Sequence, residues 1–133
     1  MTRLSVIVGV ASGAADVLRR HLRALAEQTL QPVDVVVPHD PSRHAFASLA
    51  EAHPAVRFLA VHLDDGEVAD GRSHDVLRTA GLRAATGDIL VLVEDQSVPA
   101  PGWLAALAAA FERYPDAGAV GGVIDCEPGS KVA

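Results

Sequence analysis

Short apolar runs alternate along this chain with stretches of helical spacing. The first run, Leu4 to Val10, reads Leu-Ser-Val-Ile-Val-Gly-Val and ends in the small-residue turn Ala11-Ser12-Gly13. From about Ala15 to Gln28, Leu18, Leu22 and Leu25 share one stripe while Arg19, Arg20, Arg23 and Glu27 lie off it. That is the pattern of a helix laid on a sheet. Pro32 closes the unit, and Val33 to Val37 is a second short strand running into His39-Asp40-Pro41-Ser42. Ser42 is placed to cap a helix over Arg43 to Ala52, which His53-Pro54 stops.

The same alternation continues to the end. Val56 to Val61 is a third strand; Asp64 to Gly71, acidic and glycine-bearing, reads as a mobile surface loop. Ser73 is expected to cap a helix to about Ala85 that buries Val76, Leu77, Ala80 and Leu82 or Ala84. Ile89 to Val93 is a fourth strand, and its unbroken Ile-Leu-Val-Leu-Val run predicts burial on both faces. Trp103 to Tyr114 is a helix with Leu104, Leu107, Ala108 and Phe111 on its apolar side, Trp103 serving as a packing anchor. Ala117 to Ile124, with Gly121-Gly122, reads as a fifth strand. Strands that alternate with helices predict βαβ units, hence an α/β fold with a mainly parallel sheet and helices on both faces.

Composition narrows the class without changing the fold. The 133 residues, half of them apolar, suit one domain, residues 1 to 133, with one aliphatic core. A formal charge of −6 argues against a general nucleic-acid binder, which needs basic patches. Cys126 is the single cysteine, so an internal disulfide is impossible and a reducing, cytoplasmic location is expected. The amino end imitates a short signal peptide but serves equally as a buried first strand; no apolar stretch reaches the ~20 residues of a membrane span. Six histidines, His21, His39, His44, His53, His62 and His74, are scattered without the spacing of a zinc site.

Candidate chemistry gathers where strand four ends in Glu94-Asp95-Gln96, because open parallel sheets bind ligands beyond the carboxyl ends of their strands. The bland reading is a solvated strand end. Asp40 is likewise either a site residue or an Asx-turn residue, and Arg78 either a ligand contact or a surface side chain that snorkels over its helix.

The order of motifs resembles the amino-terminal half of a family 2 glycosyltransferase with the GT-A nucleotide-sugar fold. The residues that carry it are L-S-V-I-V-G-V, the helix ending A-E-Q-T-L-Q-P, R-T-A-G-L-R-A-A-T-G-D-I-L-V-L-V-E-D-Q, P-A-P-G-W-L and A-G-A-V-G-G. The resemblance implies a GT-A or Rossmann-like half that binds a nucleotide-diphospho-sugar and passes a hexose to a glycan, lipid or similar acceptor. It implies Asp40 at the base, Arg78 of Arg78-Thr79-Ala80-Gly81 near the base or phosphates, and Glu94 and Asp95 at ribose and diphosphate.

Two departures bear on catalysis. The family's Asp-x-Asp becomes Glu94-Asp95-Gln96, so a neutral amide stands where an acid bonds a divalent ion. Magnesium and manganese favour carboxylate oxygens, so a metal site here, on Asp95 or Glu94, is expected to be weak or displaced. Nor does a segment after Cys126 match the acceptor half with its general base. Either the chain is a fragment of a longer enzyme, or the alternative holds and it is a non-catalytic nucleotide-binding or protein-interaction module. An uncovered sheet edge would also favour a homo-oligomer.

Overall fold

The computed structural model describes residues 2–125. Its elements run β1 (Leu4–Gly9), α1 (Ala15–Ala26), β2 (Asp34–His39), α2 (Ala47–Ala52), β3 (Arg57–Ala60), α3 (Asp65–Ala69), α4 (Ser73–Ala84), β4 (Ile89–Glu94) and α5 (Trp103–Arg113). The strands form one sheet in the order β3-β2-β1-β4, and every pairing is parallel. This is the α/β fold that the alternation predicts.

Strand register sorts the sheet into two faces. Val6 lies beside Val35 and Val91, and Val37 beside Phe58, so Leu4, Val6, Val8, Val35, Val37 and Val91 point one way. They form a single cluster with Leu18, Leu22 and Leu25 of α1, Leu49 of α2, and Leu104 and Ala108 of α5. The opposite face carries Ile7, Val36 and Pro38 and is covered by α4. Gly81 is what lets α4 approach: a Cβ there would stand 2.6 Å from Ile7 Cγ2 and 3.2 Å from Pro38 Cγ.

Four expectations are corrected. Strand β4 is not buried on both faces: it is an edge strand among the described residues, α4 lies over β1 and β2, and Leu90 and Leu92 are 43% and 49% exposed. Ala117 to Ile124 forms no strand, and Val123 and Ile124 are almost fully exposed. The Asp64 to Gly71 segment contains α3, because the Asp64 carboxylate accepts from the Glu67 N–H at 2.7 Å while Glu67 accepts from the Asp64 N–H at 3.0 Å. That reciprocal pair is a capping box. Neither Ser42 nor Ser73 caps a helix; α2 begins at Ala47 after Phe46, and Arg72 precedes α4 without a side-chain cap. Cys126 lies outside the described residues. No described helix is long and apolar enough to cross a membrane.

Candidate functional site

Three parallel strands end at the same side of the sheet, and the loops that leave them enclose a cleft of about 210 Å³. Val10, Ala11, Ser12 and Gly13 come from the β1–α1 turn, Arg43 and His44 from the β2–α2 connection, Leu63 from beyond β3, and Ser73, His74 and Leu77 from α4. Gly13 adopts φ 68°, the left-handed region that glycine enters without strain, and this turns the chain sharply into α1.

Behind the cleft sit two buried acids. Asp40 follows β2 directly, and its Oδ1 accepts from the Ser42 N–H at 3.0 Å and the Ser42 hydroxyl at 2.7 Å. Its Oδ2 accepts from the Leu63 N–H at 3.1 Å and lies 3.3 Å from Arg43 Nε. The Ser42 hydroxyl does most to hold the carboxyl at about 2; burial opposes it, and the Ser42 and Leu63 amides and the Arg43 charge add to it. Asp95, 1% exposed, accepts from the Ser12 N–H at 3.2 Å and the Ser12 hydroxyl at 2.6 Å. Both carboxylates therefore brace loops that line the cleft.

His44 closes one side. Its ring stacks on Phe46 at 5.3 Å and an angle of 4°, and its Nδ1 accepts from the Asp40 N–H at 3.1 Å. Burial, then the neighbouring His39, lower its pKa, while the carboxylates of Asp40 and Asp95 pull the other way. An accepting Nδ1 leaves the ring proton on Nε2.

The two remaining sequence candidates stand elsewhere. Glu94 ends β4 with an exposed side chain, and Gln96 beside it is exposed as well. Arg78 is exposed on α4, one turn beyond His74, and has no ion pair with a described residue. None of Asp40, Arg78, Glu94 and Asp95 lines the cleft directly.

Comparison with known proteins decides the family. The model of the glycosyltransferase-like family 2 matches residues 2–133. The chain belongs to that family. A curated relative, the glucosyl-dolichyl phosphate glucuronosyltransferase of Haloferax volcanii, is 26% identical over 103 residues, which is 77% of this chain and 32% of that protein. The chain thus spans about a third of the length of the curated relative it matches.

The acidic tip of this family 2 chain does not fit a tightly held divalent ion. Both oxygens of Asp95 are occupied by Ser12, and Gln96 contributes no charge, so Glu94 is the one free carboxylate of the three residues. Among the described residues, no three His, Cys, Asp or Glu side chains are grouped to hold a metal. His44 and His74 are the site residues that sequence reasoning set aside. Their separation in sequence carries no ligand-like period, and only the topology brings the β2–α2 connection against the start of α4.

Proposed function

We propose that this chain is the donor-binding half of a glycosyltransferase, seating a nucleotide-diphospho-sugar in the cleft at the carboxyl ends of β1 and β2. The observation that carries the reading is the composition of that cleft: Arg43, His44, Ser73 and His74 line one rim with a guanidinium, two imidazoles and a hydroxyl. Such a rim suits a diphosphate. Asp40 and Asp95 act from behind by fixing those loops, Glu94 faces the ribose, and Arg78 lies toward the base or phosphates. The positive edge of Arg43, shared with Asp40 and Asp65, offsets phosphate charge without a tight metal.

For the whole protein, the reading is transfer of a hexose to a glycan or lipid acceptor, in line with the dolichyl phosphate-linked glucose in the relative's name. The single cysteine of the sequence, Cys126, favours the cytoplasmic side. Loss of the acid at Gln96 and the occupied carboxylate of Asp95 favour a second reading, a nucleotide-binding module that no longer transfers sugar.

Titration with UDP, with and without manganese, tests donor binding through amide chemical shifts. Shifts centred on Ser12, Gly13, Arg43, His44, Ser73, His74, Arg78 and Glu94 are expected. Saturating nucleotide that moves none of them would eliminate the reading. Shifts that appear only with manganese would overturn the metal-independent form of it.

A further inference from the structure

The turn that carries the acidic tip is held from the α1 side by a histidine whose burial packing alone does not explain. Glu94 to Ser97 is a tight turn in which the Ser97 N–H and hydroxyl both donate to the Glu94 carbonyl, at 3.2 and 2.8 Å. Its inner side is fixed where the Asp95 N–H donates to the Gly9 carbonyl at 2.9 Å and the Asp95 carboxylate accepts from Ser12. Its exit is fixed by His21, fully buried on α1, whose Nδ1 lies 2.7 Å from the Ser97 carbonyl. A carbonyl only accepts, so Nδ1 carries the proton.

The other ring nitrogen, Nε2, is buried without a partner among the described residues. Buried polar atoms without partners are uncommon because each forfeits its bonds to water. Leu18, Leu22 and Leu25 fill neighbouring positions of the same helix, so a leucine at position 21 would pack without leaving that nitrogen orphaned. What the histidine adds over leucine is one donor, aimed at the turn between Glu94 and the start of α5.

We propose that His21 is a positioning residue for the Glu94–Ser97 turn. By holding the Ser97 carbonyl, it keeps Asp95 seated on Ser12, and through Ser12 it sets one wall of the cleft and the outward aim of Glu94. The step from this turn to donor affinity rests on the donor-binding reading above; the step from His21 to the turn does not.

Amide hydrogen exchange and UDP titration on the wild-type chain, His21→Leu and His21→Asn separate the two steps. Leucine keeps apolar bulk and removes the donor, whereas asparagine returns an N–H close to the place of Nδ1. His21→Leu is expected to speed exchange at the Asp95, Ser97 and Ser12 amides by about tenfold or more, with β1 and β2 amides changing less than about threefold. It is expected to weaken UDP binding by about tenfold, and His21→Asn to recover most of both effects. Equal acceleration in turn and sheet, or an unmoved turn, overturns the proposal. If the wild-type chain shows no nucleotide shifts, the donor reading fails alone and the exchange comparison still decides the role of His21. Should His21→Leu not fold, imidazole nitrogen shifts of the wild-type chain decide instead: a neutral ring protonated at Nδ1 and protected from exchange supports the proposal, and the Nε2–H tautomer refutes it.

Discussion

Replacing Gln28 by leucine is expected to destabilise the protein by about 0.5–3.5 kcal/mol, a range that follows from the bonds of one buried amide. Gln28 follows α1, and its Oε1 accepts from the Leu104 N–H at 3.0 Å. Leu104 is in the first turn of α5, whose N-cap, Gly102, offers no side chain. Gln28 thus satisfies, from just beyond the end of α1, a donor that helix geometry leaves free. Its Nε2 donates to the Ala100 carbonyl at 2.7 Å and, at 3.3 Å, to the Ala24 carbonyl. Leaving the buried Leu104 N–H unpaired costs about 1–3 kcal/mol, and the lost bond to Ala100 adds about 0.5–1.5. Burying leucine in place of the amide returns about 1 kcal/mol. At about 2.1 cal/mol/K per residue of unfolding entropy, this net loss lowers Tm by roughly 2–13 °C. Urea unfolding followed by circular dichroism measures it as a lower midpoint at unchanged slope. Gln28→Glu keeps the acceptor but points a carboxylate at the Ala100 carbonyl. Its deficit at pH 7 should match or exceed that of leucine and shrink as the carboxyl takes up a proton on acidification. A Gln28→Leu loss below about 0.5 kcal/mol refutes the reasoning, because ordinary surface substitutions cost that much.

Gly87→Ala is expected to cost more than about 2 kcal/mol, read from the same unfolding curves, since the new Cβ would meet the Ser5 N at 2.7 Å and the Arg3 carbonyl oxygen at 2.8 Å, both backbone. Leu92→Glu should change stability by less than about 0.5 kcal/mol, because the side chain is half exposed on an edge strand; sedimentation velocity should show any self-association of the wild-type chain reduced by it. Stability should fall as pH drops below 6.5, the ordinary histidine value, because burial lowers the pKa of folded His21 and the unfolded chain takes up the proton first. The slope from His21 is at most about 1.4 kcal/mol per pH unit and should vanish in His21→Leu. Asp40 adds a second acid limb: stability present above 3.8 is lost as pH falls toward about 2, and Asp40→Asn removes it.

Where local pattern and tertiary placement agree, the fold was legible. The spacing of Leu18, Leu22 and Leu25 located α1, and β1 and β2 came out within a residue or two, because two-sided burial produces unbroken aliphatic runs. The same rule failed at β4. Its run is as apolar as that of β1, yet the order β3-β2-β1-β4 puts it at the edge, beyond the reach of α4, and periodicity contains no information about strand order. At α3 the signal was present and underweighted: Asp64 and Glu67 have capping-box spacing, but the polarity of the segment suggested a loop. Ala117 to Ile124 has strand-like composition, but a strand needs a neighbour, and none of the described residues pairs with it.

What was legible at the strand ends was placement and not roles. The acids that follow β2 and β4 lie on one side of the sheet, because a parallel sheet brings those ends together. Which way a carboxylate turns depends on partners too local to rank from sequence. Ser42 stands two residues from Asp40, whereas Ser12 reaches Asp95 across 83 positions, and each gives a hydroxyl and an N–H to its acid. Once so engaged, neither acid turns outward without leaving its donors unpaired. The cleft consequently presents what those acids hold in place. Ser12 is held by Asp95, the Leu63 amide and Arg43 by Asp40, and His44 by the Asp40 N–H. A rim with two imidazoles, the Ser73 hydroxyl and one guanidinium is suited to an anion, although the chain as a whole carries a charge of −6. Net charge therefore says nothing against a diphosphate, which responds to the few groups within a Debye length of the cleft.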